Sequence, residues 1–113
     1  MCAYRIKKCL KKDLREAVEL FRRTTAEPPD GTNWTKHEAS RFLGRYFSID
    51  PGGCYVVLAG GKIIGGLFGC RYYWKDMPTY QLEELFVSPE FRRKGVGRAL
   101  VKRVIRSFRK KTM

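Results

Sequence analysis

The feature that most constrains the fold is a tight turn, rich in glycine and basic residues, between an apolar strand and an amphipathic helix. After Val87-Ser88-Pro89 the chain reads Arg92, Arg93, Lys94, Gly95, Val96, Gly97 and Arg98. The first N–H groups of a helix lack an intrahelical partner, the helix dipole adds positive charge there, and glycine lets a ligand approach the backbone. The turn therefore predicts a binding site for a phosphate or pyrophosphate.

Length and charge limit the rest of the molecule. With 113 residues, the chain is expected to form one domain, residues 1–113, around one modest core. Lys and Arg number 24 against 11 Asp and Glu, for a net charge of +13, which attracts acidic ligands over long range. Basic charge of this kind fits a phosphate-rich cofactor and general affinity for polyanions equally well.

The cysteines and the hydropathy exclude other classes. Four scattered cysteines without a C-x-x-C pair, and a single histidine, offer neither a zinc site nor a redox motif, so no metal is expected. No apolar run approaches the roughly 18 residues that a transmembrane helix needs, and the first residues lack the apolar region of a signal peptide. The expectation is a cytoplasmic protein with no membrane partner.

Hydrophobic periodicity and turn residues predict seven elements of an α+β (α/β-like) fold. They are strand 4–8, helix 12–24, a helix from Thr35 to the Pro51-Gly52-Gly53 break, strands 54–59 and 62–74, a strand ending at Val87, and helix 96–110. Thr35 and Glu38 have the spacing of a capping box, and Gly60-Gly61 is a two-residue hairpin turn. The last helix is expected to bury Val96, Leu100, Val104, Ile105 and Phe108 and to expose Arg98, Lys102, Arg103, Arg106 and Arg109.

The strand, the Val-x-Pro, the Arg-x-x-Gly-x-Gly turn and the helix together resemble the acetyl-CoA signature of the GNAT superfamily of N-acetyltransferases. The resemblance implies a GNAT-type mixed sheet of about four strands with three helices. A complete GNAT domain continues with a further strand, a helix and a closing hairpin, which this sequence does not contain. One wall of the cofactor cleft is therefore absent from this sequence, so that another subunit supplies it, the site is open, or the protein is a remnant. The exposed strand edge predicts a homodimer, which can complete the cleft.

The same resemblance assigns the cofactor contacts. It implies that the backbone N–H of Leu85 faces the thioester oxygen and that the backbone of the Leu85-Phe86-Val87 tract pairs with the pantetheine arm. The amides of the turn, with Arg92 or Arg93, would hold the pyrophosphate of acetyl-CoA.

Two adjacent carboxylates, Glu83 and Glu84, are the candidate catalytic residues. Acetyl transfer needs a neutral amine, and a carboxylate can take its proton directly or through water. Neighbouring residues of a strand point to opposite faces, so both can line one cleft only where a bulge intervenes. Glu83 is the first choice and Glu84 the second, and the tract is similar to the acidic strand of the spermidine/spermine acetyltransferases. One glutamate paired with an arginine and one solvated would be the purely structural explanation.

The group that protonates the departing thiolate is the least defined. Tyr72, Tyr73 and Tyr80 fall near the expected cleft, although aromatic residues in strands more often serve packing. Cys70 has no basic partner that would make it a thiolate, and His37 is expected on a helix surface.

Three functions remain open. The first is an acetyl-CoA-dependent N-acetyltransferase that acts by direct attack in a ternary complex on a primary amine, either a polyamine-like small molecule or a protein amine. The second is a non-catalytic acetyl-CoA-binding or scaffold module. The third is nucleic-acid binding by charge alone, which no recognised motif supports.

Overall fold

The computed structural model describes residues 3–112, with side chains through Ser107, and it contains three helices and four strands. The strands are β1 (Arg5–Lys8), β2 (Tyr55–Ala59), β3 (Lys62–Trp74) and β4 (Met77–Val87), and the helices are α1 (Leu14–Ala26), α2 (Lys36–Ile49) and α3 (Val96–Thr112). Short 3₁₀ turns cover Lys11–Asp13, Pro51–Gly53 and Pro89–Phe91. The predicted α+β class and the order of elements are confirmed.

The four strands form one sheet in the order β1-β2-β3-β4, and each described pairing is antiparallel. The expectation of a mixed sheet is corrected here, because successive strands joined directly to one another pair in antiparallel fashion. A parallel strand beside β4 would need a crossover connection. Within residues 3–112, no strand pairs with the outer side of β4. One edge of the sheet is therefore β4 itself, next to the basic turn.

Local sequence signals account for the ends of several elements. Thr35 accepts a hydrogen bond from the Glu38 N–H at 3.0 Å, and the Glu38 side chain accepts one from the Thr35 N–H at 2.9 Å, so the predicted capping box forms. Gly60 and Gly61 have φ angles of 58° and 80°, which the predicted two-residue hairpin turn requires. Each signal depends only on nearby residues, so it was readable from the sequence.

Two hydrophobic clusters lie on the two faces of the sheet. The face under α1 and α2 holds the cluster that includes Phe21, Leu43, Phe68 and Phe86, with Phe68 and Phe86 stacked at 6.1 Å between ring centroids. The face under α3 holds a cluster built from β2, β3 and α3, whose fully buried members include Tyr55, Val57, Leu67, Val96 and Leu100. These clusters fix which side of β4 each side chain takes.

The predicted faces of α3 need one correction. Val96, Leu100 and Val104 are buried as expected, but Ile105 is 48% exposed. A helix turns about 100° per residue, so burial of Val104 against the sheet carries Ile105 round to the recess beside β1. The side chains of Phe108 and Arg109 lie outside the described residues.

Arg103 also differs from its expected place on the outer face of α3. It is only partly exposed, donates a hydrogen bond to the carbonyl of Ile6 at 3.2 Å and lies over the ring of Tyr55. Its guanidinium therefore ties α3 to β1. Within residues 3–112, no helix combines the length and apolar character needed to cross a bilayer.

Candidate active site

The basic turn forms a shallow recess at the start of α3. Residues 92–95 are exposed, and the recess of about 440 Å³ is lined by Val87, Phe91, Arg92, Arg93, Gly95, Val96, Gly97 and Arg98. The carbonyl of Gly95 accepts the hydrogen bond of Ala99 at 2.9 Å, so the helical ladder begins at Gly95. The N–H groups of the following first turn have no intrahelical acceptor, which leaves them for an anion.

Two residues of the turn have left-handed backbones. Gly95 has a φ of 81°, and Arg93 has a φ of 63°, a region that side chains other than glycine adopt at a cost. No heavy atom would lie within 4 Å of a Cβ at Gly95, so glycine is needed there for its backbone and not for space inside the protein. The exposed Arg93 side chain is carried on the outside of the turn.

The exposed Arg92 side chain contacts the end of β4. Its Nε donates to the carbonyl of Val87 at 3.1 Å, and its Nη1 lies 3.9 Å from a carboxylate oxygen of Glu27. Lys94 lies over the ring of Phe91, 5.6 Å from its centroid. Arg92, Arg93 and Arg98 therefore border the recess, next to the first turn of α3.

The outer edge of β4 presents backbone groups beside this recess. The N–H of Ser88 donates to the carbonyl of Ile64 at 2.8 Å, and residues that pair with a neighbour alternate with residues that face away. The backbones of Leu85 and Val87 consequently point to the open edge, and the Arg92 contact with the Val87 carbonyl agrees with this. Phe86 differs from them, since its side chain is 4% exposed in the core and its backbone faces β3.

A β-bulge brings the two glutamates to one side of the sheet. Phe68 is opposite Glu84 and Gly69 is opposite Leu82, so Glu83 is the extra residue of β4. Glu84 alternates with Phe86 and so lies on the face of α1 and α2. Glu83 turns toward the same face, where Gln81 donates a hydrogen bond to it and the Tyr46 phenol of α2 lies beside it.

Gly69 explains why the bulge forms at this point. A Cβ there would lie 2.3 Å from the carbonyl oxygen of Gln81 and 2.6 Å from the Tyr80 hydroxyl. The glycine in β3 therefore lets β4 come close and shift its register. A glycine inside a predicted strand is typical of a bulge or of close backbone approach, but it does not indicate which residue of the partner strand is displaced.

The two carboxyl groups have different surroundings. Glu84 borders a small cavity together with Thr24, Thr25 and Asp30, and burial followed by the negative charge of Asp30 raises its pKa. A carboxyl group with a raised pKa can exchange a proton closer to neutral pH. Glu83 is held by Gln81 at the bulge, on the side of α2.

The tyrosines proposed from the sequence have other roles or lie elsewhere. Tyr80 donates a hydrogen bond to the carbonyl of Gly53 at 2.6 Å, and burial raises its pKa, so its proton is held in a structural contact. Tyr72 and Tyr73 are 41% and 73% exposed near the tip of the β3–β4 hairpin. Burial, then Glu83, raises the pKa of the Cys70 thiol, which does not favour a nucleophilic thiolate.

Tyr46 is the site residue that the sequence analysis missed. Its ring packs edge-on against Phe42 at 5.3 Å, and burial, followed by Glu83, raises its pKa. The signal was present in the helical spacing, since Tyr46 lies four residues after Phe42 and three after Leu43. His37, by contrast, is exposed on α2 as expected, and no metal-binding cluster of three side chains occurs in the part of the chain that the structure describes.

Comparison with known proteins identifies the family of this chain. The model of the acetyltransferase (GNAT) family matches residues 13–113. The chain therefore belongs to the GNAT acetyltransferase family, as the turn and its flanking elements indicated. A comparison with curated protein sequences found no match.

Solved structures share the fold at low identity. A putative acetyltransferase from Pyrococcus horikoshii superposes with a TM-score of 0.76 at 16% identity, over 95% of this chain and 35% of that one. Ard1 from Thermoplasma volcanium gives 0.72 at 21%, over 98% and 67%. An aminoglycoside acetyltransferase from an uncultured soil metagenomic sample gives 0.66 at 20%, over 97% and 72%. This chain thus spans about a third of the first of these proteins and about two thirds or more of the other two.

Proposed function

We propose that the protein is an acetyl-CoA-dependent N-acetyltransferase that acts on a primary amine by direct attack in a ternary complex. The observation that carries the proposal is the coincidence, at the end of β4, of an anion-binding turn, an open backbone edge and two carboxylates on one face of the sheet. Family membership supports acetyl transfer in general. The proposal covers two kinds of acceptor, a polyamine-like small molecule and a protein amine.

The residues present fit acetyl-CoA. The pyrophosphate would lie on the amides of residues 96–98, next to Arg92 and Arg93, and the pantetheine arm would extend along the open edge at Leu85 and Val87. The N–H of Leu85 is a fixed donor for the thioester oxygen, and an oriented backbone donor stabilises developing negative charge effectively. Acetyl-CoA supplies the activated acetyl group.

The chemistry can be assigned to the two carboxyl groups by their surroundings. Glu83, held on the bulge, would pair with the incoming ammonium, and Glu84, with its raised pKa, would take the proton directly or through water. The sequence ranked Glu83 first as base, and the half-buried position of Glu84 now favours Glu84. Glu84 takes the first proton and so frees the neutral amine, the amine nitrogen attacks the carbonyl carbon, and the carbon–sulfur bond breaks. The second proton of the nitrogen passes to the CoA thiolate, so that one proton is released to solvent for each amide formed.

Calorimetry with acetyl-CoA tests the cofactor half of the proposal. Wild type is expected to bind, and Gly97→Leu is expected to lose binding because a large side chain would fill the recess at the first turn of α3. Lys12→Leu, at an exposed position in the 3₁₀ turn before α1 and outside the lining of the recess, is the control and should bind as wild type does. Unchanged binding by Gly97→Leu would contradict the assigned recess.

Turnover tests the catalytic half. Glu84→Gln is expected to lower kcat by about 100-fold or more while leaving acetyl-CoA binding intact, as loss of a general base does. Glu83→Gln is expected to act mainly on KM for the amine. Full turnover in both variants would remove the carboxylates from the mechanism, and binding without turnover across a panel of amines would favour the non-catalytic module.

The charge of +13 keeps nucleic acid as the remaining alternative. Binding to nucleic acid releases counterions and must weaken steeply with salt. Tight binding to duplex DNA with such a salt slope, together with no affinity for acetyl-CoA, would replace the proposal.

A further inference from the structure

The hairpin of β3 and β4 extends beyond the end of α2, and its outer half is left uncovered on the face that carries the glutamates. Three large side chains there are exposed: Tyr72 at 41%, Trp74 at 64% and Met77 at 66%. Exposed aromatic residues grouped in this way mark binding surfaces more often than single exposed residues do.

Strand alternation places these side chains on the acidic face. Phe68 lies in the cluster under α1 and α2, so Cys70, Tyr72 and Trp74 follow it on that face at every second position. Their cross-strand partners are Gln81, Thr79 and Met77. Gln81 in turn donates to Glu83, so the face is continuous from the carboxylate to the tip.

The length of this strip sets the distance between the ammonium of an acceptor and its bulky group. Cys70 and Gln81 form the cross-strand pair next to the bulge, and Trp74 is four residues further along β3. At about 3.3 Å per residue, the distance from the carboxylate level to Trp74 is roughly 13 Å. An ammonium at Glu83 would therefore leave the rest of the molecule against Tyr72 and Trp74.

The charge of the chain argues against a polycation at this place. A net charge of +13 repels a molecule with several ammonium groups over long range, whereas a single ammonium can be compensated by Glu83 alone. The outer part of the strip offers aromatic faces and a thioether, which pack against flat aromatic groups. Complementarity therefore favours a monoamine with an aromatic body.

Resting on the proposed acetyltransferase function, we propose that the acceptor is an arylalkyl amine, with its primary amine at Glu83 and its aromatic group packed on Tyr72 and Trp74. The polyamine-like acceptor is disfavoured by the same surface. Tyr72 and Trp74 then act as specificity-determining residues, since they select the acceptor body without touching the reacting atoms.

Nuclear magnetic resonance titration of the full chain with 4-phenylbutylamine, whose four-carbon chain lets the ring reach toward Trp74 while the nitrogen lies at Glu83, tests this without requiring turnover. Amide shifts are expected at residues 70–77 and at Glu83, and Trp74→Ala should weaken binding about three- to tenfold, as loss of one aromatic contact does. Tyr73→Ala is the matched control, because Tyr73 is 73% exposed on the opposite face of the same hairpin. It should bind the amine as wild type does, and ethylamine and spermidine should bind more weakly than the aryl amine.

Each other result would overturn the proposal. Equal losses in Trp74→Ala and Tyr73→Ala would make the tip a general apolar surface, and tighter binding of spermidine than of 4-phenylbutylamine would restore the polycation. Binding by Glu83→Gln at wild-type strength would separate the strip from the carboxylate. If the aryl amine binds as expected but no acetyl transfer occurs, the proposed function fails while the assigned acceptor surface stands.

Discussion

Gly95 and Gly97 stand on either side of the buried Val96, and their backbones differ in a way that predicts opposite effects of the same substitution. Gly95→Ala is expected to destabilise the fold by about 1 kcal/mol, because its φ of 81° is unfavourable for an L-residue even with open space around it. Gly97→Ala is expected to stabilise it by up to about 1 kcal/mol, because alanine favours helix and the new Cβ would meet Leu85 at an ordinary 3.6 Å.

Urea unfolding of the two variants beside wild type measures both effects. Arg93→Gly serves as a further check, since relief of its left-handed backbone offsets the added freedom of glycine in the unfolded chain and leaves a smaller change than in Gly95→Ala. A loss of stability in Gly97→Ala equal to that in Gly95→Ala would show that the two positions are not distinguished by backbone conformation.

The half-buried Glu84 predicts an unusual dependence of stability on pH. Burial and Asp30 raise its pKa above the ordinary 4.5, so the folded protein binds this proton more tightly than the unfolded chain does. The contribution to stability is full below the unfolded pKa and is lost as the pH rises through the folded pKa. Glu84→Gln should therefore match wild type in acid and exceed its stability at neutral pH.

Glu90 provides the control of opposite sign. A hydrogen bond from Ser88 lowers the pKa of Glu90, so this carboxylate contributes stability above its unfolded pKa and loses it as the pH falls. Glu90→Gln should be less stable than wild type at neutral pH and equal to it in acid. Unfolding midpoints of both variants across about pH 2 to 8 decide the matter, and parallel curves for the two would contradict the assignment.

At the scale of elements, the bulge in the β3–β4 pair places the two glutamates on one face of the sheet. Gly69→Ala is expected to destabilise the fold by about 2 kcal/mol, since its Cβ would lie 2.3 Å from a backbone oxygen that cannot move without breaking the pairing. Gly44→Ala, in α2 with nothing within 4 Å of its Cβ, should instead gain up to about 1 kcal/mol. Circular dichroism during thermal unfolding compares them, and a stable Gly69→Ala would show that the strands can re-register.

The sequence could predict the elements because their signals are local. The capping box at Thr35, the turn at Gly60-Gly61 and the break at Pro51 each depend on residues within one turn of chain. The anion-binding turn was predictable for the same reason, because its glycines and the helix that follows are contiguous. What these signals could not supply is the position of one element over another.

The parts of the site that escaped prediction depend on distant neighbours. Glu83 reaches the face of Glu84 only because Gly69, on another strand, lets β4 shift, and Tyr46 meets Glu83 only because α2 crosses that face. Ile105 was expected inside because it continues an apolar periodicity, yet the turn of the helix after the buried Val104 carries Ile105 to the recess beside β1. Tyr80 was a candidate acid from its position in the sequence, but its hydroxyl donates a hydrogen bond to the carbonyl of Gly53, 27 residues earlier in the chain.

For the whole molecule, excess positive charge and an open sheet edge act against each other in self-association. Two copies at +13 repel each other, and salt screens that repulsion over a Debye length of about 8 Å at physiological ionic strength. An unpaired edge such as β4 favours pairing with another strand. A homodimer through this edge should therefore strengthen as salt rises, whereas nucleic-acid binding should weaken.

Acetyl-CoA and a second copy would compete for the same backbone groups if the dimer forms through β4. The edge amide of Leu85 and the edge carbonyl of Val87 cannot pair with the pantetheine arm and with a partner strand at once, so saturating acetyl-CoA is expected to dissociate such a dimer. Light scattering at about 50 and 500 mM salt, with and without acetyl-CoA, measures this. Leu82→Lys, which places a charge on the exposed edge strand, should be monomeric throughout and still bind acetyl-CoA. A dimer that acetyl-CoA tightens would instead mean that the partner supplies the second wall of the cleft.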